Sequence, residues 1–132
     1  MAEELLVGNT LTNEMIQFGN DFISLLDKKK FSIDAALWFY YPNIYQWRLI
    51  LSMPEVNVKG PKVAYQKIQN ALKKLDFGKI SLQQIHILDM SDPLIMLLKS
   101  AIKTGKGISG IRFTQNTING ILIEDAYIYR LV

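Results

Sequence analysis

The chain of 132 residues has a net charge of +3, is 49% hydrophobic and 20% charged, and contains no cysteine. At this length roughly two thirds of the unfolded surface can be buried, so we expect residues 1–132 to form a single domain with its own core. The lack of cysteine excludes disulfides and thiolate metal sites, and with no signal-like start and no apolar run of ~18 residues we expect a cytoplasmic protein without a membrane partner.

The first part of the chain predicts a helix followed by a β-hairpin. From Leu11 to Lys29 apolar residues recur every three or four positions, which predicts an amphipathic helix with Thr10 or Thr12 as its N-cap. Residues Ile33–Tyr41 and Tyr45–Met53 are rich in aromatic and branched side chains and flank a Pro-Asn pair. They therefore predict the two strands of a hairpin.

The remainder predicts two helices and three strands. A Gly-Pro pair starts a helix over 60–75, and an Asp-Pro pair starts another over 93–104, which a Gly-Lys-Gly run ends. Short branched stretches at 82–88, 108–114 and 121–131 predict strands, with an Asn-Gly turn before the last of them.

The predicted order is α-β-β-α-β-α-β-β, without a linker or a repeat. This order indicates an α+β domain with a single mixed or antiparallel sheet of about five strands and three helices. The apolar pattern of the hairpin predicts that Phe39 pairs with Trp47, which would place Trp38 opposite Arg48.

The three arginines share one local setting, between two large apolar residues in a predicted strand. Neighbouring side chains of a strand point to opposite faces, so each arginine should lie on the face away from the core. Guanidinium groups suit carboxylate and phosphate, and the aromatic residues of the hairpin could stack beside them. We therefore predict an anion-binding site formed by Arg48, Arg112, Arg130, Trp38 and Tyr40.

Two adjacent acids, Glu124 and Asp125, interrupt the last predicted strand. One of them should face the core and need a partner, for which Arg112 or Arg130 would serve. The arginines would then be structural, paired with Asp34, Glu124 or Asp125. The catalytic alternative is a carboxylate that activates water or holds Mg²⁺ beside the arginines.

The segment Gly105–Gly110 matches G-x-G-x-x-G but follows a predicted helix and precedes a strand. The dinucleotide motif requires the reverse, so we expect an ordinary connection in which Lys106 and Ser109 remain secondary candidates for anion contact. His86, the only histidine, is another secondary candidate, although a lone histidine on a strand is most often structural. No spacing of His, Asp and Glu indicates a metal site, and we expect no cofactor.

Six aromatic residues fall within positions 38–47. On alternating faces they cannot all be buried by one helix layer, so the surplus should cover a second sheet face, form a dimer surface or stack nucleic-acid bases.

From these features we expect a protein that is not an enzyme, and assign no catalytic residue. The favoured function is a binding or self-associating module that uses the aromatic hairpin and the arginine-bearing face, with another protein or a second copy as partner. One alternative is a phosphate-ligand or nucleic-acid binding protein, which the basic segment 59–79 would support. The other is a metal-dependent hydrolase or nuclease that uses Glu124 or Asp125 with His86.

Overall fold

The computed structural model describes residues 10–54, 60–75 and 80–132. Within these residues the chain forms three helices and five strands in the predicted order, so the α+β class is confirmed. A short 3₁₀ turn at Leu82–Gln84 precedes the third strand. The helices are α1 (Asn13–Lys28), α2 (Pro61–Leu72) and α3 (Pro93–Ala101), and the strands are β1 (Ala35–Tyr41), β2 (Gln46–Ser52), β3 (Ile85–Ile87), β4 (Ile111–Ile118) and β5 (Ile121–Leu131).

Side-chain caps begin two of the helices where the sequence predicts them. Thr12 accepts a hydrogen bond from the backbone N–H of Met15 at 3.1 Å, and Asp92 accepts one from Leu94 at 2.9 Å. Helix α3 ends at Ala101, three residues before the predicted end, because the chain turns extended there and the backbone N–H of Thr104 bonds to the end of β5 at 2.8 Å. None of the described helices is long and apolar enough to cross a membrane.

The strands form one sheet in the order β3-β2-β1-β5-β4. All neighbours are antiparallel except β2 and β3, which are parallel. A parallel pair needs a crossover, and α2 lies in the connection between these two strands. Helix α3 is part of the connection from β3 to β4, and these two strands form the two edges of the sheet.

The predicted hairpin register is wrong by one residue. Trp38 pairs with Leu49, and Phe39 pairs with Arg48. The prediction assumed that only one face of the hairpin is buried, whereas the structure buries both, so the apolar pattern does not fix which residues share a face.

Helices cover the sheet on both faces. The α1/α2 face carries Trp38 and Trp47, and the α3 face carries Phe39 and Ile50. Covering a second sheet face was one of the three roles expected for the surplus aromatics, and it accounts for these residues. Tyr45, in the hairpin turn, is 69% exposed.

A bulge in β5 turns two consecutive side chains towards α1. Ala36 pairs with Arg130 and Leu37 with Ile128, so Tyr129 is an extra residue between them. The Tyr129 hydroxyl donates to the carbonyl of Ile16 at 2.7 Å, and Arg130 also reaches α1. The strict alternation from which the arginine face was predicted therefore fails at this position.

Candidate functional site

Arg130 is buried and its hydrogen-bonding groups are engaged within the protein. It is 4% exposed, and its guanidinium donates to both carboxylate oxygens of Asp27, at 3.0 and 2.7 Å. It also donates to the carbonyls of Ile33 and Gly107, each at 3.2 Å. These bonds join the end of α1 to the segments before β1 and β4, so the role of Arg130 here is structural.

Arg112 lies on edge strand β4 and pairs with a carboxylate. Its Nε and Nη2 donate to Asp125 at 2.7 and 2.6 Å, and the hydrogen bonds raise the pKa of the Arg112 guanidinium. The guanidinium carbon also lies 5.7 Å from the centre of the Trp47 ring. The expected pairing of an arginine with Asp125 is therefore present, and it neutralises the charge of Arg112.

Arg48 has a different environment on the α3 face. Its guanidinium carbon lies 5.2 Å from the ring centre of Tyr41, and Nη2 is 3.5 Å from the side-chain oxygen of Gln46. Among the described residues it has no carboxylate partner within salt-bridge distance.

The structure does not bring the three arginines to one place. Arg48 lies on the α3 face, whereas Arg112 and Arg130 contact the α1/α2 side and each holds its own carboxylate. Trp38 is fully buried and donates its indole N–H to the Met15 carbonyl at 3.0 Å, so its ring is closed to a ligand. Tyr40 is half-buried and packs against the Trp47 ring, with 5.3 Å between the ring centres.

His86 lies on β3 opposite Ile50, and its Nε2 is 3.1 Å from the Gln83 carbonyl. A carbonyl only accepts, so Nε2 carries the hydrogen, and Nδ1 is an acceptor in the neutral ring. Burial lowers the pKa of His86, and the positive charge of Arg48 lowers it further. Both effects favour the neutral form of the ring.

The acids of β5 lie far from His86. Two strands separate β3 from β5, and three strand spacings amount to about 14 Å, well beyond hydrogen-bond reach. Within residues 10–54, 60–75 and 80–132, no three residues of the His, Cys, Asp and Glu types gather in a way that could hold a metal ion. The structure therefore does not assemble Glu124 or Asp125 with His86.

The G-x-G-x-x-G segment follows helix α3 and precedes strand β4. This is the helix-before-strand order for which the sequence predicts an ordinary loop and no dinucleotide site. The backbone N–H of Ser109 donates to the Tyr129 carbonyl at 2.7 Å, and Gly107 accepts from Arg130. Lys106, at the tip, is exposed. The loop is therefore fastened to β5 by its backbone.

The turn end of the β4–β5 hairpin is exposed, and the predictions from sequence include none of its apolar residues. Seven of the eight residues of β4 are at least partly exposed, and β1 pairs only with residues 126–131 of β5, so the turn end of the hairpin extends beyond β1. Ile121 and Leu122 are 54% and 58% exposed. The signal in the sequence is the run Ile121-Leu122-Ile123, because alternation cannot turn three consecutive apolar side chains to one buried face.

An apolar groove lies beside this hairpin. It has a volume of about 380 Å³ and runs between α3 and the β4–β5 turn. Met96, on the α3 side, is 58% exposed. The lining residues are Pro93, Leu94, Met96, Leu97, Ser100, Asn119 and Ile121.

Comparisons of this chain with protein-family models, with curated proteins and with solved structures each gave no match.

Proposed function

We propose that this protein is a non-catalytic module that binds an extended segment of another polypeptide along the open edge of β4. The observation that carries the proposal is the pairing of β4, which joins β5 on one side and no other described strand on its outer side. The outward backbone N–H and C=O groups of an edge strand form a template to which an incoming strand adds.

Neither lysine nor proline protects this edge against strand addition. Lysine or proline commonly blocks exposed edges, and β4 contains neither. Its only ionisable residue, Arg112, is paired with Asp125. Gln115 has a left-handed backbone, with φ of 42°, and this conformation interrupts the edge of β4. The proposed docking segment is therefore residues 116–118, which lie beyond the interruption and next to the apolar groove.

The groove indicates the chemistry of the partner. Its lining contains no charged residue, and its exposed surface is mainly apolar. A strand added beside residues 116–118 would place alternate side chains on the groove side of the sheet. The partner is therefore an extended segment with apolar residues at alternate positions, and its affinity should depend little on salt.

A foreign segment suits this edge better than a second copy. A twofold antiparallel pairing centred on β4 would set Gln115 of each copy opposite Thr114 of the other, so both backbone interruptions would fall at the centre of the new ladder. A shorter segment that pairs on one side of Gln115 avoids both.

Selection from a random peptide library displayed on phage tests the proposal. We expect enriched peptides to alternate apolar and polar residues and to bind equally at low and moderate salt. Binding should be lost in Thr117→Lys, which places a charge on the edge, and in Met96→Lys, which places one at the groove. Tyr45→Ala, at an exposed site in the hairpin turn between β1 and β2, should bind like the parent.

Three outcomes would overturn this function. The first is a failure to enrich any peptide, and the second is binding that both lysine variants retain. The third is a dimer, seen by light scattering, that Thr117→Lys dissociates, because the edge would then be occupied by a second copy. Peptides that are acidic and lose affinity steeply with salt would instead favour the anion-binding alternative.

A further inference from the structure

We propose that a separate cavity, lined in part by the hairpin turn between β1 and β2, binds a small uncharged carbohydrate. Three segments distant in sequence enclose the cavity: the start of α1, the turn between β1 and β2, and the 3₁₀ turn before β3. Its volume is about 480 Å³, within the range of about 300–1,000 Å³ that is typical of small-ligand sites.

The lining of the cavity is polar but contains no cation. None of its eleven residues is lysine, arginine or histidine, and its one acidic residue is Glu14. Phosphates and carboxylates are recognised by cationic groups, so this cavity disfavours them. The other polar side chains are hydroxyls and amides, which both donate and accept hydrogen bonds, as a polyhydroxylated ligand requires.

Several of these polar groups are held in place before any ligand binds. The side-chain oxygen of Gln84 accepts from the backbone N–H of Ser81 at 3.0 Å, in a reciprocal capping arrangement. The amide N–H₂ of Gln84 therefore remains available as a donor. Thr12 accepts from Met15 at 3.1 Å, so its hydroxyl hydrogen is also available. Fixed donors reduce the ordering cost of binding.

Aromatic and aliphatic groups complete the site. Trp47 is 4% exposed, and its ring centre lies 5.3 Å from that of Tyr40 and 5.7 Å from the Arg112 guanidinium carbon. Tyr45, at the rim, offers an open ring. The C–H faces of a sugar ring are apolar and its edges carry hydroxyls, so an aromatic rim with amide and hydroxyl walls matches both parts of such a ligand.

This proposal rests on residues other than those of the β4 edge, so the two can fail independently. Neutral mono- and disaccharides would be titrated against the full chain by saturation-transfer NMR and calorimetry. The uronate and phosphate derivatives of the same sugars would be titrated in parallel. The variants are Tyr45→Ala and Gln83→Ala in the cavity, with Tyr45→Phe to retain the ring and Met96→Lys as a distant control.

We expect at least one neutral saccharide to bind, and its anionic derivatives to bind about tenfold more weakly, a difference that corresponds to ~1.4 kcal/mol. Tyr45→Ala and Gln83→Ala should each weaken binding severalfold, whereas Tyr45→Phe and Met96→Lys should not. The proposal is overturned if no neutral saccharide binds, if the anionic forms bind as tightly, or if both cavity variants bind like the parent. Parent-like thermal melting of Tyr45→Ala and Gln83→Ala would show that a loss of binding is not a loss of fold.

Discussion

Arg130 and Asp27 join the last strand to the end of the first helix through two hydrogen bonds, with N–O distances of 3.0 and 2.7 Å. The two partners differ in exposure, because the side chain of Arg130 is 5% exposed and that of Asp27 is 38% exposed. Removing the acid would therefore leave a cation in a nearly closed environment. A buried charge without its partner is far more costly than the loss of a surface pair.

The first prediction compares the two ion pairs of the described structure. Asp27→Asn should destabilise the fold by about 2–3 kcal/mol, somewhat below the 3–5 kcal/mol typical of a fully buried pair, because water reaches Asp27. Asp125→Asn breaks a pair of similar geometry to Arg112, whose side chain is 45% exposed, and should cost at most about 1 kcal/mol. Urea denaturation of both variants measures the difference, and equal losses would contradict the role of burial.

The contact between Arg130 and Asp27 could not be predicted from the sequence. Asp27 and Arg130 are 103 positions apart, and the bulge at Tyr129 that turns Arg130 towards α1 has no signature in the sequence. Alternation therefore placed Arg130 on a face with Arg48. The apolar neighbours of each arginine correctly predict a strand, but no local pattern determines the strand order, which decides whether the three arginines meet.

The elements themselves were predictable because their signals are local. Helix α1 follows a three-to-four residue apolar period and β5 has the predicted bounds, while the caps at Thr12 and Asp92 are visible in the sequence. The hairpin register was not predictable, because a sheet buried on both faces gives no polar face to set it. The open edge at β4 was not predictable either, because it depends on the strand order, which no local pattern determines.

The second prediction concerns the close approach of α1 to β5 at Gly19. A Cβ at this position would lie 2.6 Å from the Tyr129 Cζ, and that ring is 1% exposed and tied to Ile16 by its hydroxyl. Alanine usually stabilises a helix by about 1 kcal/mol relative to glycine, but the forced shift of a buried ring should outweigh this gain. Gly19→Ala should therefore lose about 1–3 kcal/mol in urea denaturation.

A double-mutant cycle isolates this steric contact. Tyr129→Leu removes the distal ring atoms that the new Cβ would meet, so the combined loss in Gly19→Ala with Tyr129→Leu should be smaller than the sum of the single losses. Gln17→Ala, at an exposed site of the same helix, should change stability by less than about 0.5 kcal/mol. Additive losses at Gly19 and Tyr129 would contradict the contact.

The third prediction concerns a hydroxyl in the core. Ser52 is fully buried, and its Oγ has no hydrogen-bond partner among the described residues. A buried polar group without a partner costs about 1–3 kcal/mol, so Ser52→Ala should raise stability by about 1 kcal/mol. Thermal unfolding would show this as a higher midpoint. In the control Ser100→Ala the wild-type hydroxyl is exposed and donates to the Leu97 carbonyl at 2.6 Å, so no gain is expected there.

The fourth prediction uses His86 as a reporter of Arg48 across neighbouring strands. As the only histidine, it gives one imidazole signal that NMR can follow during a pH titration. Burial and then the charge of Arg48 hold the pKa of His86 below its ordinary value of 6.5. Arg48→Gln should therefore raise the pKa of His86 towards 6.5, whereas Arg112→Gln, the same charge change on the far edge strand, should leave it unchanged.

The lowered pKa of His86 also gives stability a defined pH dependence. The unfolded state binds a proton on His86 more tightly than the folded state does, so protonation of His86 favours unfolding. The folded state therefore has its full stability from this group above pH 6.5, and loses stability as the pH falls through the lower pKa of His86 in the folded state. Urea denaturation at a series of pH values should show the slope in the parent and a shallower one in His86→Gln. If the slope persists in His86→Gln, other groups are responsible. If Arg48→Gln leaves the His86 pKa unchanged, the two side chains are not electrostatically linked.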